Sequence, residues 1–392
     1  MEKHPCRIVI CGDIRLTHDT EVLFAAVDEK RLFKNLLPIF QKADLLIANL
    51  ECPLTDADRR IIKWGSALKG PKVGIKALKS AGFGVLGLAN NHIRDFGDPG
   101  VLDTIEICRR QGVLTTGAGK NVEEAAKPVV ENVKGWRIGI KAFAEHEFNA
   151  AGDARGGAHV FDPYAAFDEI KQTKEDCDYL LVLYHGGIEH YKYPSPLFRK
   201  KCRKMIDCGA DLVVCQHSHC VGSCEDYGSG VILYGQGNTL SGYRPGAEDW
   251  NDGLLVRVTL LPEAGKHPAM EYIPITADES GTDLMPGEKA ERLLKGFNER
   301  SSKIADREFL ESSWRSFCAS KEAGHLPMLL GLGRVINYLN KKTKNKIVSL
   351  FFSRKRLRLA LNVIRCEAHH EVLKTILENR TGGVTELKRF TR

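Results

Sequence analysis

Residues 89–97 read Ala-Asn-Asn-His-Ile-Arg-Asp-Phe-Gly, and they continue directly from a short apolar run. Such a run, bounded by turn residues, is typical of a buried strand. We therefore predict a strand over residues 85–89 whose carboxyl end delivers Asn91, His92 and Asp95. An amide, an imidazole and a carboxylate within five residues make this strand end a candidate functional site.

Four other apolar runs also end in polar side chains. Residues 7–11 precede Asp13, 45–50 precede Glu51, 179–184 precede His185 and Glu189, and 211–215 precede His217 and His219. Because ligands in open α/β sheets collect at the carboxyl ends of strands, we expect the five clusters to converge on one edge. The paired histidines are two residues apart, so in an extended chain they face the same side. Together these donors predict a site for Zn²⁺, Mn²⁺ or Fe.

Each cluster alone also has an ordinary structural interpretation. An aspartate that follows a glycine, as Asp13 follows Gly12, is often a turn residue or a helix cap. A lone Asn-His pair is commonly a turn, and a lone buried histidine is commonly a hydrogen-bonded core residue. The placement of all five clusters at strand ends favours a metal site over these interpretations.

The pattern between the strands predicts an α/β fold. Segments of helical periodicity at residues 21–41 and 73–80 separate the first three strands, which favours βα units and a largely parallel sheet. Asp98 is a predicted N-cap with proline at the next position, and Gly112 ends that helix.

After residue 136 the predicted strands become more frequent, which favours a mixed two-sheet architecture with helices outside. From about residue 287 the strand pattern stops and the chain is predicted to be helical. We therefore expect two domains, residues 1–285 and residues 286–392.

The order of the polar clusters resembles that of the calcineurin-like metallophosphoesterase superfamily, and in detail that of its CapA, or poly-γ-glutamate capsule-synthesis, protein family. The similar strings are Gly12-Asp13, Asn49-Leu50-Glu51-Cys52-Pro53-Leu54, the 89–97 string, His185-Gly186-Gly187-Ile188-Glu189, Gly209-Ala210-Asp211-Leu212-Val213-Val214, His217-Ser218-His219 and Tyr234-Gly235-Gln236-Gly237-Asn238. They extend over about residues 5–260. The resemblance implies a four-layer α/β/β/α sandwich with two divalent metal ions, here followed by a helical C-terminal extension.

The resemblance also implies a role for each polar residue. One metal would be held by Asp13, Glu51 and His219, and the other by Glu51 as a bridge with Asn91, His185 and His217. His92 would be the general acid or transition-state stabiliser, Asp95 would orient it, and Glu189 would contact the substrate or support the site. Such a pair of metals can activate water and clamp the oxygens of an in-line displacement.

Two positions depart from the superfamily pattern. Metallophosphoesterases of the wider superfamily carry Asp-x-His in the first motif, whereas Asp13 is followed by Ile14 and Arg15. The capsule family favours a tryptophan after the histidine of the fourth motif, where this chain has Gly186. The first departure puts one metal in question, and the second favours a substrate other than the family's namesake polymer.

Charge is concentrated in one segment. The chain has 392 residues, 43% hydrophobic and 27% charged, and a formal net charge of +7. Residues 341–358 contain eight basic residues and no acidic one, so the rest of the chain is close to neutral. A general nucleic-acid-binding surface is therefore not expected.

Residues 341–364 also carry an apolar stripe, which includes Phe351 and Phe352. This segment has two interpretations: an amphipathic helix on an anionic membrane, or a helix that docks its apolar face on the catalytic domain. The N-terminal residues lack the pattern of a secretory signal, and the twelve cysteines include no Cys-x-x-Cys pair. We therefore expect reduced thiols and a cytoplasmic location, with possible peripheral membrane contact.

The expected function is that of a metal-dependent hydrolase, of the phosphoesterase type, acting on an anionic small molecule or polymer in capsule, polysaccharide or poly-γ-glutamate metabolism. A first alternative is a non-catalytic, metal-binding accessory subunit of a capsule polymer synthesis or export assembly. A second alternative is an amide or peptide hydrolase, since two-metal sites also cleave amides.

Overall fold

The computed structural model describes residues 2–16, 18–263, 268–329, 331, 334–343, 346 and 353–381. The chain forms two compact units, Met1–Leu310 and Glu311–Arg392. The first unit contains all the strands among these residues. These units are defined by compactness. The expected division into two domains, residues 1–285 and 286–392, stays a prediction.

Sixteen strands occur in the described residues. In chain order they are β1 (Cys6–Ile14), β2 (Leu45–Leu50), β3 (Val85–Gly87), β4 (Leu114–Thr116), β5 (Ala118–Gly119), β6 (Val129–Val133), β7 (Trp136–Ala144), β8 (Gly157–Ala158), β9 (Tyr179–His185), β10 (Leu212–Gln216), β11 (Cys224–Tyr227), β12 (Gly230–Leu233), β13 (Asn238–Leu240), β14 (Asp252–Leu260), β15 (Ala269–Asp278) and β16 (Gly281–Leu284).

Two large sheets contain most of these strands. The first has the order β16-β15-β14-β1-β2-β3-β4, with β13 also paired to β1. Strands β1 to β4 run parallel, and β14 to β16 add an antiparallel flank. The second sheet has the order β11-β12-β10-β9-β7-β6, with a parallel centre and antiparallel edges. Both sheets therefore present the carboxyl ends of parallel strands.

The described helices surround the sheets and form the C-terminal part. They are α1 (Glu21–Ala25), α2 (Glu29–Phe33), α3 (Leu37–Gln41), α4 (Ile75–Ala81), α5 (Gly97–Arg110), α6 (Val122–Ala125), α7 (Ala166–Glu175), α8 (Pro196–Asp207), α9 (Glu248–Asn251), α10 (Gly287–Ser302), α11 (Arg307–Leu329), α12 (Arg334–Lys342), α13 (Arg354–Arg365) and α14 (Glu367–Thr381).

Alternation along the second sheet explains the layers. In β9, Leu181 and Leu183 belong to the core shared with the first sheet, whereas Leu180 and Val182 belong to a separate core with α7 and α8. Successive side chains of a strand point to opposite faces, so this sheet is covered on both sides. Helices α1 to α5 contribute to the core around the first sheet. The expected four-layer α/β/β/α sandwich with a helical C-terminal part is confirmed.

Some local expectations differ from the structure. Helix α5 begins at Gly97, one residue before the predicted cap, and Asp98 in its first turn instead accepts a hydrogen bond from Arg94 Nη2 at 2.9 Å. Residues 21–41, predicted as a segment of helical periodicity, contain the three short helices α1, α2 and α3. Strand β15 was not predicted, because it is only partly buried and contains Pro274.

Gly12 permits the close approach of β13 to β1. A Cβ at position 12 would lie 2.2 Å from the carbonyl oxygen of Gly237, which is backbone and cannot swing away. The Gly12 N–H also donates to Thr239 Oγ1 at 2.8 Å. A glycine at the end of β1 therefore allows β13 to pair beside Asp13, where Asp13 is in register with Asn238.

The second unit consists of helices in its described residues. Its α13 and α14 expose large apolar side chains, among them Leu359, Ile364 and Val372. No helix in the described ranges has both the length and the apolar character needed to cross a bilayer. Part of the basic segment, including Phe351 and Phe352, lies outside the described residues.

Candidate metal centre

The polar clusters meet where the parallel strands of both sheets end. Asp13 lies at the end of β1, Glu51 follows β2 directly, and His185 is the last residue of β9. Oxygen or nitrogen atoms from these three buried side chains lie within 4.8 Å of one another, as do those of a second group, Glu51, His217 and His219. The expected convergence therefore occurs, and Glu51 is common to both groups.

Glu51 is fully buried and faces several positive or polar groups. Its Oε1 lies 3.5 Å from His185 Nε2 and 3.8 Å from His219 Nε2. Burial works against the charged carboxylate, but Arg15, His219 and His185 outweigh it and hold the pKa of Glu51 well below its usual range. Glu51 is thus an anion suited to bind a cation.

Both ring nitrogens of His185 lie near side-chain oxygens of the site. Its Nε2 lies 3.1 Å from Asn91 Oδ1, and its Nδ1 lies 3.6 Å from Asp13 Oδ1. Burial opposes the charged ring, but Asp13 and Glu51 raise the pKa of His185 to about 9. The His185 ring would therefore have to lose a proton before it could bind a metal.

His217 provides the orphaned atom of the site. Its Nδ1 is buried and has no hydrogen-bond partner among the described residues. Burial, together with the neighbouring rings of His185 and His219, holds the pKa of His217 well below its usual value, so the imidazole is neutral. Neutral imidazole is the form that binds metals.

Backbone strain also concentrates at this histidine pair. His217 and His219 have φ values of 82° and 51°, in the left-handed region that non-glycine residues seldom adopt. The His217 N–H donates to Asp13 Oδ2 at 3.0 Å, which holds the turn against β1. Such strain is typical of functional sites, where surrounding contacts maintain it.

Asn238 fixes the orientation of His219. Its Nδ2 donates to the carbonyl of Trp250 at 2.8 Å, which directs its Oδ1 toward His219 Nδ1, also at 2.8 Å. Because that oxygen can only accept, the proton of neutral His219 lies on Nδ1 and Nε2 is left as an acceptor. Nε2 is the atom that faces Glu51.

Arg15 is an unforeseen member of the site. Its Nε donates to Glu51 Oε2 at 2.7 Å, and its Nη2 donates to Glu51 Oε1 at 2.8 Å. The same Nη2 lies 2.9 Å from His219 Nε2. Burial works against the charge, but Glu51 and Asp13 outweigh it and raise the pKa of Arg15. The sequence analysis identified position 15 only as one where the wider superfamily has a histidine.

His92 and Asp95 form a buried pair beside the donors. His92 Nδ1 lies 2.7 Å from Asp95 Oδ2, which also accepts from the Leu68 N–H at 2.7 Å. Lys63, itself nearly buried, pairs with Asp95 Oδ1 and lies 3.3 Å from His92 Nδ1. The sequence analysis missed Lys63, because it lies in a loop without periodic pattern.

Glu189 lies apart from this cluster. Its side chain is exposed, and its charge acts on Arg244. Burial and the charge of Arg15 lower the pKa of Arg244, and the charge of Glu189 opposes part of that decrease. Arg244 stacks on Trp250, with its guanidinium carbon 3.1 Å from the ring centroid. Glu189 is therefore an exposed residue near an exposed arginine, and its predicted contact with substrate stays a prediction.

The residues present fit at least one divalent cation. Glu51, Asn91, His185 and His217 combine carboxylate, amide and imidazole donors, and His217 Nδ1 lacks another partner in the described chain. Asn49, which was not predicted as a site residue, supports them: its Nδ2 donates to Asp13 Oδ1 at 2.7 Å and lies 3.1 Å from His185 Nδ1.

Comparison with known proteins finds similarity to capsule synthesis proteins. The family model for the bacterial capsule synthesis protein PGA_cap matches residues 7–243. The chain is 29% identical over 288 residues to the capsule biosynthesis protein CapA of Bacillus anthracis, with 71% of this chain and 69% of that protein covered. It is 31% identical over 236 residues to the PGA biosynthesis protein CapA of Bacillus subtilis, with 58% of this chain and 61% of that protein covered. A probable polyglutamine synthesis accessory protein of Mycobacterium tuberculosis is 26% identical to this chain over 253 residues, with 59% of this chain and 66% of that protein covered.

Proposed function

This chain belongs to the PGA_cap family of bacterial capsule synthesis proteins, and we propose that it is a metal-dependent hydrolase of the phosphoesterase type. Its substrate would be an anionic intermediate or polymer of capsule or poly-γ-glutamate biosynthesis. The observation that carries the proposal is that two buried donor groups share Glu51, one with Asp13 and His185 and the other with His217 and His219. Asn91 Oδ1 lies 3.1 Å from His185 Nε2, and His217 Nδ1 is buried without a hydrogen-bond partner among the described residues.

The chain's own groups supply charge and proton transfer. A divalent cation on these donors would supply a Lewis acid and an activated water. Asp95 accepts from His92 Nδ1, so His92 Nε2 would give its proton to the leaving oxygen. Arg15, Lys63 and Arg244 place positive charge around the site, which favours an anionic substrate.

The test is metal content followed by turnover. The purified full chain, supplied with Mn²⁺, Zn²⁺ or Fe²⁺ and dialysed, would retain at least one ion per chain, and His217→Ala and Asn91→Ala would each lower that content. His4→Ala, which removes an exposed histidine far from the site, is the matched control. Absence of bound metal in the wild-type protein would contradict the proposal.

Substrate class is tested with the same metal-loaded protein. A panel of a phosphomonoester, the phosphodiester bis-p-nitrophenyl phosphate and a γ-glutamyl amide distinguishes phosphoester from amide hydrolysis. We expect turnover of a phosphoester that requires His92. Turnover of the amide alone would contradict the phosphoesterase proposal and indicate an amidase instead.

A second candidate function is that of a metal-binding accessory subunit in capsule polymer synthesis or export. It is favoured by the Mycobacterium tuberculosis relative, which is named a probable polyglutamine synthesis accessory protein, and by Arg15 within the donor cluster. This candidate would be supported if the wild-type protein binds metal but turns over no panel substrate, and if the metal content of His92→Ala is the same.

We also propose that the C-terminal helices contact an anionic membrane surface. Helix α13 carries five basic residues and no acidic one, and its Leu359, Leu361 and Ile364 are exposed. Basic side chains beside exposed apolar ones favour anionic lipid over neutral lipid. The alternative, a helix docked on the catalytic unit, is an outcome of the binding test described below.

A further inference from the structure

Arg15 lies in the gap between two of the strongest metal donors. Glu51 Oε1 and His219 Nε2 are 3.8 Å apart, and Arg15 Nη2 lies 2.8 Å from the first and 2.9 Å from the second. A cation shared by these two atoms would need to lie about 2.0–2.2 Å from each. The same guanidinium nitrogen contacts both atoms at once, so it competes with such a cation for both of them.

The guanidinium is also held firmly in this position. A second bond, from Nε to Glu51 Oε2 at 2.7 Å, makes the pairing bidentate. The Arg15 side chain is only 8% exposed, and its guanidinium carbon lies 5.2 Å from the Trp250 ring centroid. Since guanidinium stays protonated in proteins, Arg15 is a permanent positive charge at this point.

The remaining donors are separate from these contacts. Asn91 Oδ1 and His185 Nε2 are 3.1 Å apart, and His217 Nδ1 has no partner in the described chain. Among the described residues, the Arg15 side chain hydrogen-bonds to Glu51 and His219. Each Glu51 oxygen that accepts from Arg15 keeps a further lone pair, so Glu51 and these donors can bind one cation without displacing the arginine.

We propose that Arg15 takes the place of one cation, so that the centre binds a single divalent ion through Glu51, Asn91, His185 and His217. This revises the two-metal expectation and rests on the proposed function only in requiring that the cluster binds a metal. A second divalent ion beside the guanidinium would bring two like charges together in a buried site, which is unfavourable. His219, satisfied by Arg15 and Asn238, then positions the arginine and does not bind metal.

The test is the stoichiometry of Mn²⁺ in the full chain. Wild-type protein, saturated with Mn²⁺ and freed of excess ion, should contain about one Mn²⁺ per chain by elemental analysis, with the electron paramagnetic resonance spectrum of an isolated ion. Arg15→His removes the charge and adds an imidazole, so it should contain about two, with spin coupling between ions about 3.5–4 Å apart.

Two further variants complete the experiment. Arg244→His introduces the same substitution at an exposed arginine that is not among the donors and should keep one Mn²⁺. Arg15→Met removes the charge without adding a ligand and should bind a second, weaker Mn²⁺ in a titration, which covers the case in which Arg15→His does not fold.

Three results separate the outcomes. Two coupled Mn²⁺ ions in the wild-type protein would overturn the inference and leave the metal centre intact. A single ion in both folded Arg15 variants would also overturn it. No Mn²⁺ in the wild-type protein would instead contradict the proposed function.

Discussion

Asp95 holds His92 through a 2.7 Å contact between Oδ2 and Nδ1, and the carboxylate that does so is fully buried. The second oxygen of Asp95 pairs with Lys63. The imidazole is therefore fixed from one side, which leaves Nε2 as the atom available for proton transfer.

We predict that His92→Ala lowers turnover of the preferred phosphoester by about 10²- to 10⁴-fold, the usual contribution of a positioned acid or base. Metal content should stay unchanged, because His92 is not among the cation donors. Asp95→Asn should reduce turnover as well and also lower the melting temperature, because Lys63 loses its charged partner. Loss of metal on His92→Ala would assign this histidine to the donor set.

Asn49 is predicted to tune metal affinity without touching the ion. It donates to Asp13 and contacts His185, so Asn49→Ala releases both side chains. We expect Mn²⁺ affinity to fall by about 10- to 100-fold, as for other residues that orient metal ligands. Calorimetric titration measures this, and Asn132→Ala on an exposed strand position is the control. An unchanged dissociation constant would remove Asn49 from the site.

Gly12→Ala is predicted to destabilise the fold. Its new Cβ would meet the Gly237 carbonyl at 2.2 Å, so β1 and β13 would have to separate. We expect a loss of about 3 kcal/mol in the free energy of unfolding, measured by urea denaturation. Gly287→Ala, where nothing lies within 4 Å of the added Cβ, should have little effect. Equal stability of the two variants would show that β13 can shift.

Glu169 is predicted to make stability pH-dependent. Its Oε2 lies 2.8 Å from Lys141 Nζ and 3.1 Å from His159 Nε2, both nearly buried. Burial opposes the charge, but these partners lower the pKa of Glu169 to about 2. Because the folded pKa is below the unfolded value of 4.5, the stabilisation is present above about pH 4.5 and is lost as pH falls toward 2.

Glu169→Gln should therefore cost about 1–3 kcal/mol at pH 7 and much less near pH 2. Denaturant unfolding across this range is the measurement. Glu106→Gln removes an exposed carboxylate whose pKa is also lowered to about 2, chiefly by Arg109 and Arg110. Solvent screens that exposed pair, so its effect should be smaller. A constant difference for Glu169→Gln at all pH values would contradict the ion-pair explanation.

The membrane proposal predicts binding to vesicles that contain phosphatidylglycerol. The full chain should float with them and not with phosphatidylcholine vesicles, and added salt should weaken binding. Leu361→Asp combined with Ile364→Asp should abolish it, while Arg109→Gln with Arg110→Gln on α5 should not. Equal recovery of wild type and double variant in the unbound fraction would favour the docked-helix alternative.

Sequence pattern predicted the strands that form the centre of each sheet. Strand β2 was predicted with its observed bounds, because continuous apolar runs identify strands buried on both faces. Short edge strands such as β11 and β16 carry no such run, since only part of each is buried. Their positions depend on pairing partners that the sequence does not reveal.

The donor residues were predictable because each stands at a strand end. Arg15 and Lys63 were not, because their roles depend on contacts far along the chain. Arg15 meets His219, 204 residues away, and Lys63 meets Asp95 through a loop without regular structure. The predicted catalytic role of Glu189, and the roles of His92 and Asp95, stay predictions.

The donors of the cation come from two different sheets, Glu51 and Asn91 from the first and His185 and His217 from the second. An ion bound there would act as a cross-link between halves of the sandwich, in addition to hydrogen bonds such as that from the His217 N–H to Asp13. By mass action, such a ligand raises the free energy of unfolding by about 2.7 kcal/mol when its concentration is 100 times the dissociation constant. The melting temperature of the chain would then serve as a direct gauge of which ion it prefers, independent of any substrate.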